Sequence, residues 1–145
     1  MEALQPRPAF AERDRAIVAV ATVLLLIGMP IGWLTDNPST GDVIAFIIAL
    51  AINLAVMTAL FLRFVPRQRT AGRAARNGMI TGIVAAVLLL VFWTGLPFPV
   101  GAAAVALGLF ARATPSQAEE RGKATAAVAL GGLAMLLSFV ALLIG

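Results

Sequence analysis

Five arginines, Arg63, Arg67, Arg69, Arg73 and Arg76, crowd into one short stretch with a long apolar run on either side. Lys and Arg beside an apolar span resist translocation, so a loop of this kind stays on the cytoplasmic face of a membrane. Once that loop is placed, the side of every other connection follows. The runs around it point to lipid as the solvent. Of the 145 residues, 61% are apolar and 12% charged, and the mean hydropathy is +0.97. A soluble domain of this size needs a far more charged surface. The expected fold is therefore all-α: a polytopic transmembrane helical bundle, with residues 1–145 forming a single integral membrane domain.

Five spans are predicted, at about 16–34, 42–62, 78–94, 98–111 and 124–144. Met1 to Arg15 is polar and reads as a cytoplasmic tail. The run that follows is long for a signal-peptide core and lacks a small-x-small cleavage site, so it reads as a retained helix. Pro30 marks a kink point in it, and Trp33 suits the outer interface. Thr35 to Gly41 carries no Lys or Arg and is placed outside. Asn37-Pro38-Ser39 is not a glycosylation sequon, because proline fills its middle position. Ser39 and Asp42 have capping-box spacing, which starts the second helix there.

The stretch 78–111 is the ambiguous one. As a single straight helix it would be about 50 Å long, well beyond the hydrocarbon thickness. Gly95-Leu96-Pro97-Phe98-Pro99 divides it into two short arms, either a tight transmembrane hairpin or a shallow re-entrant pair. Both forms return Arg112 to the side of Arg76. Thr114-Pro115-Ser116-Gln117 then reads as a helix start, and Glu119 and Lys123 are spaced to pair on one face of that helix. It runs on into the last span. In this arrangement all eleven Lys and Arg residues lie inside, with the N-terminus cytoplasmic and the C-terminus external.

Small residues recur at four-residue spacing in Gly28/Gly32, Gly78/Gly82, Ala104/Gly108 and Ala127/Gly131, which lets neighbouring helix backbones approach closely. Packing within one subunit is the simpler expectation, and homo-oligomerisation is the other. Asn53 is the notable polar residue in a predicted span, with Thr58 beyond it. It serves either as a hydrogen-bonding link between helices or as the lining of a homo-oligomeric channel. Phe61, Phe64, Phe92, Phe98 and Phe110 are expected at the membrane boundaries.

The sequence has neither Cys nor His, which excludes disulfides, thiolate and imidazole metal sites and Cys/His nucleophilic pairs. No ionisable residue falls at the middle of a predicted span, as a proton relay needs. Small multidrug exporters depend on an acidic residue in their first helix, and the first span has none. Glu119 and Glu120 are adjacent on a helix and diverge, so they are not a working carboxylate pair. No enzyme activity, cofactor or metal is expected. The pI near 11.4 reflects topology rather than nucleic-acid binding, and anionic headgroups are the expected partners of the basic residues.

The segment from Gly78 to Gly145 joins an apolar hairpin ending Leu107-Gly108-Leu109-Phe110-Ala111-Arg112 to a polar linker. Arg121-Gly122-Lys123-Ala124 then opens a Gly/Ala-rich span. This half of the chain resembles the small paired-helix membrane domains of unknown function common in actinobacteria. It departs from them in the position of the usual glycine, with Ala126 and Ala127 preceding Gly131-Gly132. The resemblance implies a bacterial plasma membrane and no activity. The functional expectation is a non-catalytic accessory or structural subunit in a homo-oligomer or a larger membrane complex. The alternative is the channel lined by Asn53 and Thr58.

The topology is open to direct test, because the chain offers no native thiol. Ser39→Cys in whole cells is expected to react with an impermeant thiol reagent, and Ser116→Cys only after permeabilisation. Labelling of residue 116 from outside would replace the hairpin with a single span.

Overall fold

The computed structural model describes residues 12–34, 37–65, 71–113 and 118–144, and over these residues the chain is all-helical. Helix α1 is Glu12–Trp33, and α2 is Thr40–Ala59, which runs directly into one π-helical turn, Leu60–Phe64. Helix α3 is Ala71–Leu88, followed by a 3₁₀ segment, Leu89–Thr94; α4 is Pro97–Ala113 and α5 is Ala118–Ile144. Four segments are long and apolar enough to cross a membrane: Asp14–Trp33, Thr40–Phe64, Arg73–Val91 and Arg121–Ile144. Helix α4 is the shorter apolar one.

Local chemistry accounts for several of these boundaries. Ser39 caps α2 through the expected box. The Asp42 amide donates to Ser39 Oγ at 3.1 Å, and the Ser39 amide and hydroxyl donate to Asp42 Oδ2 at 2.8 and 2.7 Å. Two of the helix's orphan donors are thereby satisfied. Pro30 lies inside α1 without ending it, since the Leu34 amide still reaches the Pro30 carbonyl at 2.8 Å. The break after α3 falls at Val91, whose φ of −126° and ψ of 42° are not helical. The helix start at Thr114–Gln117 and the Glu119–Lys123 pairing fall outside the residues or side chains described.

The centre of the bundle is α4. Helices α1, α2, α3 and α5 all pack against it, and Phe98, Ala102, Ala103, Ala104, Ala106 and Leu107 are fully buried. A helix that is apolar all round is one surrounded on all sides. Its residues are small, so the helices around it approach to backbone contact. A Cβ built on Gly101 would stand 2.7 Å from the Gly131 carbonyl oxygen. One built on Gly131 would stand 2.5 Å from the Gly101 carbonyl oxygen. These two glycines face each other across α4 and α5.

The other small residues lie at contacts within the same chain. Gly28 and Gly32 pack on Phe139 and Leu142 of α5. Gly78 meets Ala127 and Leu107, Gly82 meets Leu130 and Ala127, and Gly108 meets Val128 and the Ala124 carbonyl. Ala104 lies on Gly131. Outward faces are the reverse, with exposed Val23, Ile27 and Ile31 on α1, Ile44, Ile47 and Ile48 on α2, Ile83 and Val87 on α3, and Leu133, Leu136 and Leu137 on α5. Around α4 the interior contacts are made largely by small residues, while many large aliphatics of the long helices face outward.

Phe61 and Phe98 depart from the boundary expectation, and the side chain of Phe92 lies outside those described. Phe61 and Phe98 are buried in the core, and Phe64 and Phe110 pack against it half-buried. The reason is tertiary. The π turn aims Phe61 inward, and Phe98 sits between two buried prolines at the start of the central helix.

A methyl group at Gly131 has no room between two backbones. Gly131→Ala is expected to cost about 1–3 kcal/mol. Its neighbour Gly132 has nothing within 4 Å of an added Cβ, so Gly132→Ala should be neutral or stabilising by up to ~1 kcal/mol through helix propensity. Reversible denaturant unfolding in mixed micelles, followed by circular dichroism, measures both.

Candidate functional site at the tip of the hairpin

The segment between α3 and α4 has to reverse direction inside a packed bundle, and it does so with little backbone hydrogen bonding of its own. Pro97 and Pro99 have no N–H to give. The Phe98 amide donates to the Gly95 carbonyl at 3.1 Å and the Val100 amide to the Leu96 carbonyl at 3.3 Å. Thr94 holds the turn from both sides. Its hydroxyl donates to the Val91 carbonyl at 2.8 Å and accepts the Leu96 amide at 3.3 Å. Gly95 closes the turn at φ 77°, a left-handed conformation that glycine adopts without a steric penalty.

The Thr94 carbonyl has lost the helical donor it would have had in a continuous helix. Asn53, from the middle of α2, supplies the replacement. Its Nδ2 donates to the Thr94 carbonyl at 2.5 Å and to its own Ala49 carbonyl at 2.8 Å, and lies 4.0 Å from Met29 Sδ of α1. One amide thus ties α2 to the hairpin tip beside α1. Both acceptors are carbonyls, so the orientation is dictated: the nitrogen must face them. The consequence is that Oδ1 of Asn53, on a side chain only 1% exposed, has no hydrogen-bond partner. Gly95 is fitted to the same point. An added Cβ there would lie 2.8 Å from Met29 Sδ, 2.9 Å from Leu25 Cδ1 and 3.0 Å from Asn53 Nδ2.

Beside the tip is an open cleft of about 260 Å³, lined by Trp33, Ala49, Ile52, Asn53, Thr94 and Leu96. It exists because α4 is short. At 1.5 Å per residue α4 is about 25 Å long, whereas α2 with its π turn reaches about 37 Å. The hairpin tip therefore stops level with Asn53, midway along α2, and α1 and α2 continue past it, leaving the cleft beside the tip among the described residues.

Thr58 does not join Asn53. It is exposed, its hydroxyl donates to the Leu54 carbonyl at 2.8 Å, and five residues of α-helix place it about 140° around from Asn53. The basic residues gather at the opposite end of the bundle from the cleft. Gly78, Leu107, Gly108 and Ala127 meet at one level, and Arg73, Arg76, Arg112, Arg121 and Lys123 lie within a turn or two of that level, all but Lys123 exposed. Arg63, also exposed, lies in the π turn that packs on α4. Arg67 and Arg69 lie outside the described residues. No group of three or more His, Asp or Glu side chains comes together among the described residues.

Sequence reasoning found Asn53 and placed Gly95 in the dividing turn, but found neither the acceptor of Asn53 nor Gly101. The acceptor had no signal in the spacing of the prolines: the α-helical donor to the Thr94 carbonyl is the Phe98 amide, which the turn diverts to the Gly95 carbonyl. Comparison with protein-family models, with curated proteins and with solved structures returns no match.

Asn53→Leu is expected to leave the protein folded, with a loss on the order of 1 kcal/mol or less, as for other hydrogen bonds between membrane helices. Gly95→Ala should cost more, about 2–4 kcal/mol, because a positive φ and three contacts under or near 3 Å act together. The two sites touch, so the double variant should depart from additivity by at least ~0.5 kcal/mol in the same unfolding assay.

Proposed function

We propose that this protein is a multi-pass protein of a bacterial plasma membrane that acts without catalysis, as an accessory or structural subunit of a membrane assembly. The observation that carries the reading is the apolar outer surface. Large aliphatics, among them Val23, Ile27, Ile47, Ile48, Val87 and Leu136, are exposed along four long helices, and on α3, α4 and α5 Gly and Ala fill much of the interior. Water gives such a surface no reason to exist. Lipid tails match it, and helix association in lipid rests on close packing of small residues. The concentration of Arg and Lys at one end supports an orientation with that end in the cytoplasm, against anionic headgroups, and the C-terminus outside.

The accessory role is supported by how the polar groups are placed. All seven carboxylates fall in the N-terminal segment, in loops or in the first turns of helices. The small-residue faces are occupied within the chain, so contact with a partner subunit falls to the outward aliphatic ridges. Helix α2 is the least enclosed of the four long helices, and its Ile44, Ile47, Ile48 and Ile52 make one such ridge. The channel alternative is weakened, since Asn53 is enclosed within one chain and Thr58 lies on another face.

Purification in a mild detergent with native mass measurement tests the reading. A stoichiometric foreign membrane subunit is the expected result. A pure homo-oligomer whose ion flux in liposomes disappears in Asn53→Leu would overturn it in favour of the channel.

A further inference from the structure

Helices α1 and α5 touch at one end and part at the other. Gly28 and Gly32 of α1 pack on Phe139 and Leu142 of α5, whereas an added Cβ at Gly132, two turns nearer the basic end, would meet nothing within 4 Å. Between the two helices an open slot of about 290 Å³ results, lined by Ala16, Ile17 and Val20 of α1, Val105 of α4, and Gly132 and Met135 of α5. Its wall is apolar throughout and offers an ion or a water nothing to bind. A helix with its side chains is about 10–12 Å across, too wide for the slot. A single hydrocarbon chain is not.

What continues this slot toward the basic end is charged. Helices α4 and α5 run antiparallel at backbone contact: Gly101 meets Gly131, and two turns on Gly108 meets Ala124 and Val128. One further turn of the same register sets Arg112, four residues past Gly108, opposite the first turn of α5. Arg121 stands there, seven residues before Val128 and so on the face that Val128 turns to Gly108. Both arginines are exposed, and no ion pair joins either of them to another described residue. The sequence from Arg63 to Arg112 contains no Asp or Glu, and Asp14 of α1 is buried. Two like charges on helices held this close repel, and an anion between them removes that cost. The guanidinium fork fits a phosphate with paired hydrogen bonds.

We propose that this seam binds one anionic phospholipid, with its phosphate between Arg112 and Arg121 and one acyl chain in the slot between α1 and α5. The depths agree. Arg112 lies seven residues, about 10 Å, beyond Val105 along α4, and the headgroup layer on one side of a bilayer is about 5–8 Å deep. With the arginines among the headgroups, the slot falls just inside the hydrocarbon. A zwitterionic lipid fits less well, since its cationic group is set against the same arginines. The inference rests on the membrane reading above and deepens it: two of the basic residues, besides orienting the chain, hold a particular lipid at a particular place.

The test titrates full-length protein in a mild detergent with dioleoyl phosphatidylglycerol or dioleoyl phosphatidylcholine and counts bound lipid by native mass spectrometry. One phosphatidylglycerol per chain is expected to bind, about tenfold more tightly than phosphatidylcholine. Arg112→Gln with Arg121→Gln should abolish that preference, and the charge-matched pair Arg63→Gln with Arg76→Gln should keep most of it. Gly132→Phe, which fills the slot and leaves both arginines in place, should weaken binding of both lipids by about tenfold. Glycerophosphoglycerol, the same headgroup without chains, should not compete at equal concentration. Equal affinity for the two lipids, equal losses in the two arginine pairs, unchanged binding in Gly132→Phe, or competition by the chainless headgroup each overturns the proposal. Should the Arg112 and Arg121 double variant not fold, the wild-type preference and Gly132→Phe decide it. A chain that stays soluble without detergent overturns the membrane reading and the proposal together, whereas a detergent-solubilised chain with no lipid preference overturns the proposal alone.

Discussion

Everything in this bundle depends on the burial of α4 on all sides. A helix of Ala, Gly and a few larger residues, enclosed by four others, lets its neighbours approach to backbone distance, as Gly101 and Gly131 do. Dispersion contacts are individually small and add up only where atoms are close. Small side chains are therefore what make the contact area at this centre. Large residues at the same places would hold the helices apart and forfeit more than they supply.

Enclosing a short helix creates a polar difficulty at its start. The chain must turn at Val91–Leu96 within the protein, where unpaired carbonyls are costly. The turn is held by two side chains of different origin. Thr94 acts locally, within the turn, and Asn53 acts from α2. The Asn53 link is the less expected, since it spans 41 residues and commits an amide nitrogen twice while leaving its oxygen without a donor. Stability of the turn and the unfilled demand of that oxygen come from one geometric fact, the presence of two carbonyls on the same side of the amide.

How much of this was legible follows from the range of each interaction. The capping box at Ser39 and Asp42 was legible because it is made within four residues. The helical segments were legible because apolar runs long enough to span lipid have few other uses. The reversal near Pro97 and Pro99 was legible because proline removes donors from any helix. Phe61 and Phe98 were misplaced, since an aromatic near a predicted helix end is equally compatible with a boundary and with a core. Only the neighbours decide between the two.

The sequence by itself determined the helices, their approximate ends, the gathering of basic residues beside particular spans and the small-residue pairs available for close packing. All of these are set by local composition and by the periodicity of the helix. Only the tertiary structure decided that the shortest apolar segment is the central one, that Asn53 reaches Thr94, and that a cleft opens beyond the hairpin tip. Those depend on how five helices of unequal length share one core. A shorter helix placed at the centre leaves space that the same helix placed at the edge would not, and no stretch of sequence carries that placement on its own.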